Sequence, residues 1–116
     1  MSRTMTAAVL CLLATGAWAA PAPAAIASCS NGAKGKCVEW RNLDATGTQA
    51  MKDLCATSKG EAVWSEGKPC TTKNRIATCT IEGLKSETVQ NFYPPYTSDK
   101  AKAECAANPL GKFKQD

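Results

Sequence analysis

Histidine is missing altogether from this 116-residue chain. Its absence removes the commonest general base, the serine–histidine triad and the usual nitrogen ligand of zinc. There is no C-x-x-C either. The last six cysteines, Cys29, Cys37, Cys55, Cys70, Cys79 and Cys105, follow one another at spacings of 8, 18, 15, 9 and 26 residues. Those spacings indicate neither a zinc ribbon nor a thioredoxin-type redox pair. No glycine-rich phosphate loop and no calcium loop is present. Branched apolar residues are thin, and no stretch, the amino-terminal one included, reaches the roughly 20 apolar residues that cross a bilayer as a helix. Nothing in the chain calls for a cofactor or a metal, and it reads as non-enzymatic. The remaining catalytic option is a carboxylate pair drawn from Glu39, Asp44, Asp53, Glu61 and Glu66. Two of these would have to converge about 5–10 Å apart around a cleft.

Charge is scarce at the start and scattered afterwards. Arg3 is the sole charged residue before Lys34, and Met5 to Ala19, "MTAAVLCLLATGAWA", is apolar or small almost throughout. A basic start, a short greasy centre and small residues before a cut make a secretory signal, with Ala17 and Ala19 supplying the A-x-A pattern. Cleavage after Ala19 leaves 97 residues, the size of one small domain. Without Arg3 the balance is thirteen basic against ten acidic residues, interspersed rather than striped. That argues against a nucleic-acid partner, which calls for a basic stripe and a pI above about 9.

A competing cut lies further on. Ile26-Ala27-Ser28-Cys29 fits a bacterial lipobox, in which Cys29 would be acylated and become the first residue. Two prolines in the spacer "APAPAAIAS" weaken that reading, since proline interrupts the helix of such a signal. Cysteine arithmetic points the same way. With Cys11 removed alongside the signal, six cysteines remain, an even number suited to pairing in an oxidising compartment; acylation of Cys29 would leave one odd.

Residues 20–36, rich in Ala, Pro, Gly and Ser, read as a flexible lead-in to a single domain over 37–116. "CVEW" (Cys37–Trp40) reads as a strand. Asp44 to Lys59 reads as a helix, capped by Asp44, Thr46 or Thr48, with Met51, Leu54, Cys55 and Ser58 on one face and Gly60 as its stop. Three strand candidates follow: "EAVW" (Glu61–Trp64), "RIATCTI" (Arg75–Ile81) and "ETVQNFY" (Glu87–Tyr93). A second helix spans Ser98 to about Ala107, capped by Thr97 or Ser98 and ended by Asn108-Pro109.

Both helices carry a cysteine, pass a glycine and reach a short strand with an aromatic residue, Trp64 in one case and Phe113 in the other. The predicted fold is therefore α+β: a small antiparallel or mixed sheet with two helices on one face, stabilised by disulfides and built from two related strand–helix–strand halves, Cys37–Trp64 and Cys79–Phe113. On that scheme Cys37 pairs with Cys55, Cys79 with Cys105 and Cys29 with Cys70. Cys55 with Cys70 is an equally reasonable local alternative, and sequence does not choose among the fifteen connectivities of six cysteines.

The order of "CVEW", helix-borne Cys55, "GEAVW", Pro69-Cys70, "NRIATC" and helix-borne Cys105 followed by "GKF" resembles a group of small cysteine-rich exported bacterial proteins. Some members of that group carry lipoprotein signals. The likeness covers Cys37 to Phe113 and brings no catalytic residues with it. It implies a bacterial envelope or secreted protein; the chain's own residues are read as those of a periplasmic or secreted module that binds an envelope or exterior protein or glycan, with lipid anchoring through Cys29 as the alternative. The aromatics Trp40, Trp64, Phe92, Tyr93 and Tyr96 are the binding candidates, each of which could equally serve the core. A third class, an inhibitor or effector, would need a rigid protruding loop such as Gly67 to Asn74, held by Cys70.

Overall fold

The structure, a computed structural model, describes residues 26–58 and 61–116. The expected signal at 1–19 lies outside the described residues. β1 (Ile26–Asn31) and β2 (Lys36–Arg41) form a hairpin, α1 (Ala45–Thr57) follows, and β3 (Ala62–Glu66) returns to pair with β1. The order then repeats. β4 (Ala77–Glu82) and β5 (Glu87–Phe92) form a hairpin, α2 (Ser98–Ala106) follows, and β6 (Gly111–Gln115) returns to pair with β4. β2 and β5 join the halves into one six-stranded sheet of order β3-β1-β2-β5-β4-β6. Every neighbouring pair is antiparallel, so the sheet is larger than expected and not mixed.

Residues directly opposite in such a ladder share a face. Trp64, Cys29, Val38, Gln90, Cys79 and Phe113 lie in register across all six strands. Cys29 is bonded to Cys55 of α1 and Cys79 to Cys105 of α2, which fixes both helices on that one face. Each bridge spans 26 residues from the first strand of its half to its helix. The two halves are thus strand–strand–helix–strand units with the same covalent closure.

Three expectations need correction. Six residues of the proposed lead-in, Ile26–Asn31, form strand β1, in which Ala27 and Ser28 are buried. Among the described residues the sheet therefore starts before Cys37, at Ile26. Alanine and serine have weak strand propensity, yet an interior strand covered by α1 on one side has room only for small side chains. The first half consequently starts at β1 rather than at Cys37. For the same reason Cys55 pairs with Cys29 instead of Cys37, and Cys37 pairs with Cys70. Cys37 is one residue out of register with Cys29, opposite Ser30, so its side chain points to the other face, away from α1. The Cys79–Cys105 pairing agrees with expectation.

The local grammar of the helices is simple. Asp44 caps α1, accepting from the Gly47 amide at 2.6 Å, and Thr97 caps α2, accepting from Lys100 at 3.2 Å. Under α2, Ala77, Cys79, Phe92, Ala101 and Cys105 form the tightest core, with Ile76, Ile81, Tyr96 and Phe113 against it. In the first half Trp40 is buried and Trp64 half-buried, their rings 5.9 Å apart. At the β1–β2 turn Gly35 has φ +68°, and a Cβ there would strike the carbonyl oxygens of Tyr93 and Pro94. Only glycine lets the turn dock so closely.

The opposite face is crossed by the β3–β4 connection, tied down by Cys37–Cys70. Beneath it lies Glu39, 3% exposed, on β2. Its Oε1 accepts from the Cys70 amide at 3.3 Å and Asn91 Nδ2 at 3.2 Å, and its Oε2 accepts from Arg41 at 3.1 Å. Arg75 extends the network, donating to Asn91 Oδ1 at 3.2 Å and to Asp116 at 2.7 Å. A buried carboxylate is tolerated because it is paired and hydrogen-bonded.

Candidate functional site

Each helix packs over the outer strands of its own half, α1 on β1 and β3, α2 on β4 and β6. The central strands β2 and β5 run between them. A groove results, floored by Val38 and Lys36 of β2, with Cys29 and Asn31 of β1 beside them, and walled by Ser58 at the end of α1 and Glu104 of α2. It encloses about 360 Å³. Past Tyr96 it continues into a second recess of about 360 Å³ between Lys34, Pro95 and Lys100.

Electrostatics in the groove centre on Glu104. Lys36 Nζ donates to its Oε1 at 2.9 Å and also sits 5.7 Å from the centre of the buried Phe92 ring. Burial raises the Glu104 carboxyl, but the Lys36 ammonium, the Tyr96 hydroxyl and the Lys100 charge outweigh it, and the group titrates below its usual value. Burial, and then the Glu104 carboxylate beside it, push the Tyr96 hydroxyl up to about 12. The Lys100 ammonium lies 5.3 Å from the Tyr96 ring centre, while the Phe92 ring meets Tyr96 edge-on at 5.0 Å. The ring is thereby fixed between core and groove.

On the other face a pocket of about 280 Å³ opens between the β1–β2 turn and the crossing connection. Ser28, Ser30, Ser65, Pro69, Thr71 and Tyr93 are among its lining residues. The Tyr93 hydroxyl donates to the Thr71 carbonyl at 2.5 Å. That bond commits the hydroxyl to holding the connection in place.

The aromatic candidates separate accordingly. Phe92 and Trp40 belong to the core, and Trp64 is spent on Trp40 and on a 3.2 Å hydrogen bond from its indole nitrogen to Glu66. Tyr93 and Tyr96, three residues apart, open onto opposite faces of the sheet, so "NFYPPY" is not one patch. Tyr96 alone reaches the groove between the helices. Sequence reasoning missed its companions Lys34, Lys36, Lys100 and Glu104. The alternation of β2 places Lys36 and Val38 on the helix face once its register is known, but nothing in the sequence says that the strand is left uncovered there.

The carboxylates offered for catalysis are dispersed among structural tasks. Asp44 caps α1, Asp53 accepts from Gln49 one turn earlier, Glu66 accepts from Trp64, and Glu39 is enclosed under the connection. Glu61 is exposed at the start of β3. Among the described residues no helix is long and apolar enough to cross a membrane.

Cys29, the lipidation candidate, is bonded to Cys55. A sulfur so joined offers no thiol to acylate, and the two states exclude each other. The loop proposed for an inhibitor, Gly67 to Asn74, is anchored at buried Cys70 and exposed on either side of it, and it ends in a turn in which the Arg75 amide donates to Thr72 at 3.3 Å and Asn74 has φ 61°. Comparison with protein-family models, with curated proteins and with solved structures finds no match.

Proposed function

We propose that this chain is an exported, non-enzymatic binding module of the bacterial periplasm or exterior, and that it takes its ligand in the groove between α1 and α2. One observation carries the reading: the helices sit over the outer strands and leave the centre of the sheet open, at the seam between two similar halves. Clefts between packed units are the usual place for ligand sites, and the groove is of ordinary size for one. Three disulfides support export, since such bridges persist in oxidising compartments. The Cys29–Cys55 bridge favours release after Ala19 over a lipid anchor.

The test is a ¹⁵N NMR titration of the exported, oxidised protein with a panel of soluble glycans and peptides. Ligands should shift the amides of Val38, Gln90 and Tyr96. Shifts confined to Ser65, Thr71 and Tyr93 would transfer the site to the opposite face and refute the groove.

A further inference from the structure

Resting on the groove as the ligand site, we infer that its occupant is an acidic saccharide, a short run of carboxylate-bearing sugar rings of the uronate type. The charge balance comes first. Among the described lining residues, Lys34, Lys36 and Lys100 of the groove and its continuation stand against the single carboxylate of Glu104. Glu104 is already matched by Lys36 at 2.9 Å. Lys34 and Lys100 make no ion pair among the described residues, and both border the recess that contains Tyr96. Three ammonium groups around one lining carboxylate leave a net positive charge that favours an anion in the recess, and charge-assisted hydrogen bonds to a carboxylate are stronger than neutral ones.

The aromatic ring supplies the second half of the argument. Tyr96 is half-buried, wedged edge-on against Phe92, and its ring is covered by the Lys100 ammonium. A sugar ring offers a weakly apolar face of C–H groups and a carboxylate at its rim. It can take the Tyr96 face while Lys100 swings from the ring onto the carboxylate, exchanging a cation–π contact for an ion pair.

A peptide fits the groove less well. Peptide docking draws its affinity from apolar or aromatic anchors in dry pockets. Here Val38 is the sole aliphatic side chain among the described lining residues, and Asn31 and Ser58 offer hydrogen-bonding groups instead. Hydroxyl-rich rings can use such groups; buried leucine or phenylalanine anchors cannot.

The experiment is a ¹⁵N NMR titration of the exported, oxidised chain with trigalacturonate, its neutral methyl ester and pentaglutamate. Salt is set at about 20 mM and again at about 300 mM, because exposed charge pairs weaken with screening. Trigalacturonate should shift Val38 and Tyr96, bind at least about tenfold more weakly at high salt, and outbind both its ester and pentaglutamate by a similar factor. The double variant Lys34→Gln/Lys100→Gln should lose about tenfold in affinity while staying folded, its melting temperature lower by only a few degrees for the lost Lys100–Tyr96 contact. Equal binding of the ester or of pentaglutamate, or no shift at about 10 mM trigalacturonate, would overturn the acidic-saccharide assignment. If pentaglutamate or the ester shifts the groove while trigalacturonate does not, the groove stands and only its ligand class falls. Shifts by trigalacturonate that gather at Ser65 and Tyr93 would overturn the groove itself.

Discussion

Removing one β–helix disulfide at a time makes a controlled comparison, because the two halves carry bridges of equal span. Chain-entropy arithmetic for a 26-residue separation gives about 3.5 kcal/mol for either bridge. Loop length therefore cancels, and what remains is the surroundings. Cys79 and Cys105 are 0% and 1% exposed and belong to the core with Phe92, whereas Cys29 borders the open groove. Replacing Cys79 and Cys105 by alanine opens a cavity at two buried sites and adds about 1–3 kcal/mol, whereas in the Cys29/Cys55 pair only Cys55, 3% exposed, is buried and the added cost is about half as large. The double variant C79A/C105A should thus lose about 5.5 kcal/mol, much of the stability of a domain this size, and C29A/C55A about 4.5. Urea unfolding of the oxidised variants, followed by tryptophan fluorescence, reads the difference. If C29A/C55A is the less stable of the two, the reasoning from core burial is wrong.

Gly111 leans on the same bridge: a Cβ there would lie 3.0 Å from each sulfur and 2.6 Å from the Cys105 carbonyl oxygen. Gly111→Ala should cost about 1–3 kcal/mol in the same unfolding assay. Glu39→Ala removes the acceptor of the Cys70 amide and one of the two partners of Arg41 and of Asn91 Nδ2, which keep Glu87 and the Val89 carbonyl, and a loss of about 1–3 kcal/mol is expected, measured by thermal denaturation. Asp116 is held below its ordinary carboxyl value of 3.8 by the hydrogen bond from Arg75, and Glu104 is lowered in a similar way. Both folded values are depressed, so their contribution to stability is present above the unfolded values and is lost as pH falls through the folded ones. An NMR pH titration between about pH 5 and pH 2 should show the Arg75 and Lys36 contacts releasing in that window. Above neutrality the Tyr96 phenol should stay protonated until about pH 12, later than an ordinary tyrosine, which ultraviolet titration of Tyr96→Phe against the parent resolves.

Much of the architecture was legible because its signals are local. Caps at Asp44 and Thr97 and helical cysteines one turn from apolar neighbours mark both helices. The alternation of Ala77, Cys79 and Ile81 marks β4, and the glycine-then-aromatic stops mark β3 and β6. β1 was not legible. "IASCSN" has no β-branched or aromatic residue after Ile26, and its strand character comes from neighbours on both sides rather than from its own propensity. Missing β1 also displaced the pairing of Cys55, since the repeat then lacked the strand that carries Cys29. The site was harder still. That Tyr96 faces the groove while Tyr93 faces the opposite surface depends on how the chain turns at Pro94 and Pro95. That Lys34, Lys36, Lys100 and Glu104 converge depends on contacts 68 residues apart in sequence, such as Lys36 with Glu104.

The most direct measurement is disulfide mapping by mass spectrometry on the mature protein recovered from its host, digested without reduction. The account predicts a chain beginning at Ala20 in which Cys29 is joined to Cys55, Cys37 to Cys70 and Cys79 to Cys105. Recovery of Cys29 as an acylated amino terminus, or of Cys37 joined to Cys55, would contradict the two equivalent halves on which the fold and its groove rest.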